Sequence, residues 1–394
     1  MTFIWTGVKA LIRTFDEINE KIRSQKAAVF TAEEVVRMVK DEGVKAVHKK
    51  VDVVTCATFG AMCSSGAILN FGHTNPPIRM SSIWLNDVQA YGGLAAVDTY
   101  IGATQASDTK GIDYGGAHVI GDLIAGKPVH LRATSKGTDC YPRTEIDTDL
   151  TLEELNQAYL YNPRNAYQNY SAATNASGKT IYTYMGTLLP RCGNVTYSTS
   201  GELSPLLKDP KLRAIGMGTR IFLGGAQGYV AWEGTQFKRA HAEYEGGVSN
   251  AGATLALIGD MKQMSARFVR GATMRGYGST LYLGVGIPVP VLDEDLLYDL
   301  SRPNEELFTE VYDYSTGERS RPMIRPVSYA ELRSGKVELN GRSVVAAPLS
   351  SLAMAREIAN LLKQSIASGQ FFLQEPVTMF PEDRKFKPFK GGNV

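Results

Sequence analysis

The sequence predicts an α/β protein with a mixed, largely parallel sheet core and flanking helices. The prediction leaves open a small α/β appendage at the C-terminus. Three observations predict this class. Short runs of β-branched residues alternate with amphipathic helical segments. Polar, glycine-rich loops follow two of these runs, as loops do at the carboxyl ends of parallel strands. The chain has 394 residues, 43% of them hydrophobic, which is enough for a sizeable core without disulfides.

The N-terminal region, residues 15–49, is predicted to form helices around one short strand at 27–30. Thr31 and Glu34 have the spacing of a capping box, in which a hydroxyl and a carboxylate three residues later bind the first free N–H groups of a helix. Valines at helical spacing follow these two residues. A helix is therefore expected to begin directly after Thr31.

The other predicted elements follow from apolar periodicity and β-branched content. Helices are predicted at 117–125 and 348–366, and strands at 51–55, 128–132, 180–184, 220–223, 229–232, 254–258, 280–283 and 370–373. The glycine-rich segment 223–229 lacks the Lys-Ser/Thr of a phosphate-binding loop and is predicted to be a hairpin turn. The segment 277–280 is interpreted as tight packing.

A domain boundary is predicted where the composition becomes rich in charge, serine, glycine and proline, at 301–325. Residues 12–300 would form the main catalytic α/β domain. Residues 301–376 would form a C-terminal α/β portion of the same unit or an appendage, and 377–394 a flexible tail.

The composition excludes several functional classes. The 42 Lys+Arg and 40 Asp+Glu residues give a net charge of +2, which does not favour nucleic acid as a partner. No apolar stretch is long enough to span a membrane, and the N-terminus lacks the pattern of a secretory signal. Four cysteines without Cys-x-x-Cys spacing favour a reducing cytoplasm and predict no metal site.

Two cysteines lie in loops that are typical of reactive thiols. Cys63 and Cys140 each follow a predicted strand in a polar segment that contains glycine, and they are expected at one edge of one sheet. Cys56 lies in a β-rich run and should pack, whereas Cys192 is ambiguous. His73 follows Cys63 closely and is interpreted either as a proton donor or base, or as a structural histidine.

The segment 161–170 concentrates amide, tyrosine and arginine side chains, which are costly to bury unpaired. Asn162 and Asn165 are therefore predicted to line a polar cavity that binds substrate, or else to belong to a hydrogen-bonded structural loop. Arg164, or Arg143 beside Cys140, can hold a carboxylate in a bidentate pair.

Many segments between residues 12 and 376 resemble one known family, the homocysteine biosynthesis family, which was formerly a domain of unknown function. The resemblance is carried by Met62-Cys-Ser-Ser-Gly-Ala67, Tyr114-Gly-Gly-Ala-His-Val-Ile120, Gly137-Thr-Asp-Cys-Tyr-Pro-Arg143, Tyr161-Asn-Pro-Arg-Asn-Ala-Tyr-Gln-Asn-Tyr170, Tyr182-Thr-Tyr-Met-Gly-Thr-Leu-Leu-Pro190 and shorter strings at 13–22, 84–87, 229–236 and 348–351.

The resemblance implies an L-aspartate semialdehyde sulfurtransferase of an anaerobe, which makes homocysteine, a methionine precursor, by reductive sulfur insertion. It implies a persulfide on Cys140 or Cys63. We expect Cys140 to carry the sulfur, with Arg143 favouring its thiolate, and Cys63 to resolve or relay it, although the order can be reversed. Sulfide or another donor would supply sulfur. A ferredoxin-like iron–sulfur partner would supply electrons, since this chain is expected to bind no cofactor.

The remaining roles follow from the same chemistry. Arg164 or Arg79 would hold the substrate's α-carboxylate, and His73 would protonate the developing oxygen anion. A homo-oligomer is left open. One alternative is a sulfur-carrier or scaffold subunit that partner proteins load and discharge. Another is a cysteine-dependent acyltransferase or aldehyde dehydrogenase, for which no clear dinucleotide fingerprint is seen.

Overall fold

The computed structural model describes residues 12–165, 171–238, 242–244, 247–249, 253–318 and 320–384, together with 387 and 389. The α-helices are α1 (Phe15–Arg23), α2 (Ala32–Glu42), α3 (Val44–His48), α4 (Gly116–Ile124), α5 (Pro205–Lys208), α6 (Glu294–Leu300), α7 (Tyr329–Arg333) and α8 (Leu352–Ala367). The predicted capping box is confirmed, because Thr31 accepts from the backbone N–H of Glu34 and the Glu34 carboxylate accepts from that of Thr31.

The strands are numbered in chain order. The first thirteen are β1 (Val29–Thr31), β2 (Val53–Ala61), β3 (Gly66–Asn70), β4 (Ser82–Leu85), β5 (Val88–Ala90), β6 (Asp98–Gly102), β7 (Ala106–Ser107), β8 (Gly111–Gly115), β9 (Val129–Thr134), β10 (Glu145–Leu150), β11 (Gln157–Asn165), β12 (Ala172–Thr174) and β13 (Ile181–Thr183). The others are β14 (Gly186–Leu188), β15 (Asn194–Tyr197), β16 (Arg220–Leu223), β17 (Ala226–Glu233), β18 (Ala242–Tyr244), β19 (Gly247–Ser249), β20 (Leu255–Asp260), β21 (Val269–Met274), β22 (Gly278–Pro290), β23 (Phe308–Asp313), β24 (Met323–Ser328), β25 (Lys336–Leu339) and β26 (Arg342–Pro348).

These strands form one ten-stranded sheet, two six-stranded sheets and two small hairpins. The ten-stranded sheet has the order β1-β2-β22-β16-β17-β20-β11-β3-β6, with β21 also paired to β22; the others are β10-β9-β4-β5-β7-β8, β24-β23-β12-β15-β26-β25, β13-β14 and β18-β19. In the described part of the chain, three strand pairs are parallel, β1–β2, β12–β23 and β15–β26, and the others are antiparallel. The prediction of a largely parallel sheet core is therefore wrong.

Short glycine turns explain the antiparallel pairing. β16 and β17 are joined by Gly224 and Gly225, which both have positive φ, as a two-residue hairpin turn requires. The predicted hairpin at 223–229 is thus confirmed. Antiparallel neighbours need only such a turn, whereas parallel neighbours need a long crossover. Burial explains why parallel pairing was predicted. The strand β22 is almost wholly buried, and a continuous apolar run is also typical of parallel strands.

Helix α8 covers the centre of the large sheet and was predicted closely. It packs on β2 and β22, where Gly284 and Gly286 leave room for Ile358. Thr55 of β2 donates a hydrogen bond to the carbonyl of Ala359 in the helix (2.9 Å). Because this helix closes over β2, it also fixes the strand that leads to Cys63.

The strand predicted at 370–373 does not form. The backbone N–H and carbonyl of Leu373 are instead hydrogen-bonded to the side-chain amide of Asn19 in α1. The side chain of Asn19 thus makes the backbone hydrogen bonds that a neighbouring strand would otherwise make. No helix in the described part of the chain is long and apolar enough to cross a membrane.

Strands from both sides of residue 300 pair with one another in one six-stranded sheet. β12 lies beside β23, and β15 lies beside β26. The division of the chain into 12–300, 301–376 and a tail at 377–394 stays a prediction.

Close backbone contacts around α4 lead to a stability prediction. A Cβ atom added at Gly116 would lie 2.0 Å from the carbonyl oxygen of Gly102. We expect Gly116→Ala to lower the free energy of unfolding by about 3 kcal/mol, as measured by urea denaturation. Gly178→Ala is the control, because a Cβ there meets nothing within 4 Å. Equal stability of the two variants would contradict this packing of α4.

Candidate active site

Cys63 lies in the turn between β2 and β3, directly beyond the end of a buried strand. Its Sγ is 3.2 Å from the Oγ1 of Thr280, a buried residue of β22. The backbone N–H of Met62 donates to the carbonyl of Leu281 (2.7 Å), which ties the start of the turn to the same strand. The thiol is half-buried. The predicted position of Cys63 after a strand is therefore confirmed.

The amides predicted to bind substrate lie beneath this turn. Asn162 and Asn165 of β11 are both 0% exposed. The Nδ2 of Asn162 donates to the Oγ of Ser65 (3.1 Å), and the Nδ2 of Asn165 approaches the Sδ of Met62 (2.7 Å). The two amides are thus positioned to fix the turn that carries the thiol. Their role in substrate binding stays a prediction, and residues 166–170 of the same motif lie outside the described residues.

Tyrosine side chains complete the surroundings of Cys63. The Tyr277 phenol lies beside the thiol, and burial together with that thiol raises the pKa of Tyr277 to about 12. Burial, with a smaller contribution from Cys63, also raises the pKa of Tyr282. These phenols are therefore neutral hydrogen-bond donors at physiological pH. We call Cys63, Tyr277, Thr280 and Tyr282 the inner site.

The sequence did not single out Tyr277 and Thr280. The segment 277–280 was interpreted as tight packing, because its glycine and small residues gave no chemical motif. One feature of the sequence could have indicated a site, because a tyrosine and a threonine, which both carry hydroxyls, lie at the start of a strand that must pair in the core. Only the pairing of β2 with β22 brings them to Cys63.

Burial is the main influence on the pKa of the Cys63 thiol. Removal of Cys63 from water raises its pKa, and hydrogen bonds with Thr280 and Tyr277 oppose this effect only in part. At neutral pH the group is therefore mainly a thiol. An incoming group that places positive charge or further donors next to Cys63 would increase the thiolate fraction.

The raised pKa of Cys63 predicts a displaced pH profile for alkylation. Because the thiolate is the reacting form, the rate constant for iodoacetamide should keep rising with pH above about 8.5, the ordinary value for a thiol. A blocked Gly-Cys-Gly peptide, measured in parallel, should level off near that ordinary value. Quantitative peptide mass spectrometry follows Cys63 alone. A profile that levels off at or below that of the peptide would contradict the buried setting.

Cys140 lies in a different setting, on an exposed loop after β9. The loop is closed by reciprocal backbone hydrogen bonds between Thr138 and Tyr141. The Tyr141 ring stacks on the imidazole of His73, with 6.1 Å between ring centroids. Tyr141 also lines a pocket of about 190 Å³ together with Arg79 and residues 93–96.

Arg143 binds the backbone of this loop cluster. Its guanidinium donates to the carbonyl of Asn75 (3.1 Å) and to that of Pro76 (3.2 Å). The structure therefore brings His73, Arg79, Cys140 and Arg143 into one exposed cluster, which with Tyr141 we call the outer site. The predicted catalytic and substrate-binding roles of these residues stay predictions.

The two cysteines do not meet at one sheet edge. Cys63 follows β2 of the ten-stranded sheet, whereas Cys140 follows β9 of a six-stranded sheet. Cys63 precedes the Gly66 end of β3, and His73 of the outer site follows its Asn70 end. A five-residue strand spans roughly 13 Å between its terminal Cα atoms. The expectation of a shared edge is therefore wrong, because a strand separates the two sites.

Arg164 lies on the side of β11 nearer the inner site, beyond the pairing of Tyr161 with Gly66. Its Nε donates to the Oγ1 of Thr235 (3.1 Å). Its predicted role in holding a carboxylate stays a prediction.

The two other cysteines are buried. Burial raises the pKa of Cys56 to about 12, which suits the predicted packing role. Cys192 is buried as well. No group of three or more His, Cys, Asp or Glu side chains in the described residues is arranged to hold a metal ion.

A half-buried thiol that faces neutral hydroxyl donors at the end of a buried strand defines a cysteine-dependent site suited to sulfur or carbonyl chemistry. Comparison with known proteins narrows this class. A family profile described as "Homocysteine biosynthesis enzyme, sulfur-incorporation" matches residues 27–373. The chain belongs to this family, so the resemblance seen in the sequence is confirmed.

Two relatives have a named activity. An L-aspartate semialdehyde sulfurtransferase of Methanosarcina acetivorans is 52% identical over 378 residues, which cover 96% of this chain and 74% of that protein. An L-aspartate semialdehyde sulfurtransferase of Methanocaldococcus jannaschii is 50% identical over 382 residues, which cover 93% of this chain and 73% of that protein. No solved structure matches the chain.

Proposed function

We propose that this chain is an L-aspartate semialdehyde sulfurtransferase, which replaces the aldehyde oxygen of its substrate by sulfur and forms L-homocysteine. The observation that carries the proposal is the half-buried Cys63 thiol, which lies against the hydroxyls of Thr280 and Tyr277. It is supported by identities of 52% and 50% to two proteins of that name.

The overall reaction requires sulfur, electrons and loss of water. One aldehyde, one hydrogen sulfide, two electrons and two protons give one thiol and one water. When the sulfur comes from a persulfide, whose outer sulfur is two electrons more oxidised than sulfide, four electrons and four protons are needed. We propose that a separate ferredoxin-like iron–sulfur protein supplies the electrons and that this chain holds no redox cofactor of its own. The substrate is then a small amino-acid aldehyde, and the immediate sulfur donor is a persulfide or polysulfide, which forms from sulfide by oxidation.

The different exposure of Cys140 and Cys63 supports different roles for the two thiols. Cys140 is exposed and accessible to a sulfur donor, whereas Cys63 is half-buried among hydrogen-bond donors. We propose that the Cys140 thiolate attacks the outer sulfur of a donor persulfide or polysulfide, which releases the donor's thiolate and leaves a persulfide on Cys140. Cys63 then receives the sulfur by attacking the outer sulfur of that persulfide, which leaves the Cys140 thiolate. This transfer requires the loop of Cys140 to approach the inner site, in the same chain or in a second copy.

At the inner site, the terminal sulfur on Cys63 would attack the aldehyde carbon and convert the carbonyl oxygen to an alkoxide, which is protonated to a hydroxyl. Two electrons and two protons then cleave the S–S bond and return the Cys63 thiol. The released hydroxy-thiol loses water, and two more electrons and two protons give the product thiol. Tyr277 and Thr280 carry the hydroxyls that can donate a hydrogen bond or a proton to the alkoxide oxygen. His73 was predicted for this step, but it stacks on Tyr141 in the outer site.

Peptide mass spectrometry of anaerobically purified protein tests the proposal. After treatment with sulfide and a mild oxidant, a gain of one sulfur, about 32 Da, is expected on Cys140 or Cys63. Addition of L-aspartate semialdehyde and reductant should remove that sulfur and yield homocysteine. A persulfide that the aldehyde never discharges would contradict the proposal.

The separation of the two thiols also favours a second candidate, a sulfur-carrier subunit that partner proteins load and empty. An exposed cysteine apart from the inner site is the arrangement such a carrier needs. Incubation of the purified chain with polysulfide, L-aspartate semialdehyde and a chemical reductant separates the two proposals. Homocysteine formed by this chain alone would exclude the pure carrier.

A further inference from the structure

We propose that Arg321, held between Tyr184 and Tyr314 beside the inner site, binds the carboxylate of the substrate. The inference rests on the proposed function and names the group that orients the substrate. It also assigns the carboxylate to a residue other than Arg79, Arg143 and Arg164.

A continuous row of aromatic side chains leads from the thiol to this arginine. Tyr277, which lies beside Cys63, packs edge-to-face against Tyr184, with 6.2 Å between ring centroids. The hydroxyl of Tyr184 accepts a hydrogen bond from an Nη of Arg321 (3.3 Å). Two side chains therefore separate the guanidinium from the nucleophilic sulfur.

The ring of Tyr314 stacks against the guanidinium. The Cζ of Arg321 lies 3.8 Å from the ring centroid of Tyr314, and the two tyrosine hydroxyls are 3.4 Å apart. Burial raises the pKa of Tyr314, so this phenol stays neutral. A cation–π contact orients the guanidinium, but it supplies no negative charge.

Arg321 has no counter-ion in the part of the chain that the structure describes. Its Nε is buried and has no hydrogen-bond partner, and its Nη bond goes to a neutral phenol. The nearby Arg325 pairs with Glu331, and Arg302 pairs with Asp299 (3.1 Å). A partly buried cation without a carboxylate is costly, and a bound anion would offset that cost. The unpartnered Nε–H is the further observation that points to a ligand.

The chemistry of the site selects a carboxylate. A guanidinium offers parallel N–H donors that match the two oxygens of a carboxylate, and the tyrosine hydroxyls can add further donors. An aldehyde carbon and a carboxylate at the ends of a four-carbon chain are roughly 5 Å apart, from ordinary covalent bond lengths. That length is comparable with the 6.2 Å between the Tyr277 and Tyr184 rings. A substrate whose aldehyde lies beside Tyr277 can thus direct its carboxylate toward Tyr184, whose hydroxyl is 3.3 Å from an Nη of Arg321.

Calorimetric binding of two unreactive probes tests the inference. L-2-aminobutyrate has the substrate's chain, amine and carboxylate without the aldehyde, and n-propylamine lacks the carboxylate as well. We expect Arg321→Met to weaken binding of L-2-aminobutyrate roughly 10- to 100-fold relative to wild type. Binding of n-propylamine should be weak and equal in both proteins. Arg321→Lys keeps the charge without the planar pair of N–H donors. Its affinity for L-2-aminobutyrate should therefore lie between those of the wild type and Arg321→Met.

Arg275→Gln is the matched control, because Arg275 is an exposed arginine that lies over the ring of Tyr182 in the same region. It should bind both probes as wild type does. Full affinity of Arg321→Met or Arg321→Lys for L-2-aminobutyrate would overturn the inference, as would equal losses for both probes in a folded variant. If wild type binds L-2-aminobutyrate through Arg321 but makes no homocysteine, the carboxylate site stands and the proposed function fails.

Discussion

Replacement of Cys63 by serine is expected to abolish homocysteine formation, with a loss of about 10³-fold or more in turnover. Serine can keep the hydrogen bond to Thr280, so the turn between β2 and β3 should persist. A hydroxyl cannot form a persulfide, and it is a far weaker nucleophile at neutral pH. The measurement is homocysteine formed from polysulfide, L-aspartate semialdehyde and a reductant.

Cys192→Ala is the control for this variant, because it removes a buried thiol that has no place in either site. It should retain most of the activity and lose at most part of the stability. The circular dichroism spectrum of Cys63→Ser should match that of the wild type. If Cys63→Ser made homocysteine at the wild-type rate, the inner site would not be the catalytic site.

Local features of the fold could be predicted from the sequence. The capping box of Thr31 and Glu34, helices α4 and α8 and the hairpin at Gly224 and Gly225 each depend on residues close together in the chain. Such features follow from propensity, periodicity and turn chemistry. The same local pattern correctly placed Cys63 just beyond a buried strand.

The sheet topology could not be predicted in this way. A buried strand has the same apolar pattern whether its neighbours are parallel or antiparallel, and the long buried β22 gave no sign of its partners. The inner site depends on the same non-local pairing, because Cys63 and Thr280 are 217 residues apart in the sequence. Tyr277 and Arg321 became candidates only through the fold.

The outer site shows a second limit of prediction from the sequence. The exposure of Cys140 agrees with the polar composition of its loop, but the segments of the outer site come from two separated parts of the chain. The stacking of Tyr141 on His73 fixes that histidine near Cys140, although in the sequence it lies nearer Cys63. Sequence proximity was therefore a poor guide to which thiol each polar group serves.

Replacement of Cys140 by serine is expected to separate sulfur loading from the chemistry at the aldehyde. If Cys140 is the entry point, steady-state homocysteine formation with a persulfide donor at low concentration should fall about 100-fold or more. Cys63 is half-buried, so a small donor such as polysulfide at high concentration can still reach it. A single turnover with polysulfide should then persist in Cys140→Ser and be absent in Cys63→Ser.

Asp139→Asn is the matched control for Cys140→Ser, because Asp139 is exposed in the same loop and carries no thiol. It should leave both assays nearly unchanged. Full steady-state activity of Cys140→Ser would remove this cysteine from the mechanism and leave direct loading of Cys63 as the route. Loss of the single turnover as well would place Cys140 at the aldehyde step, which requires its loop to close over the inner site during catalysis.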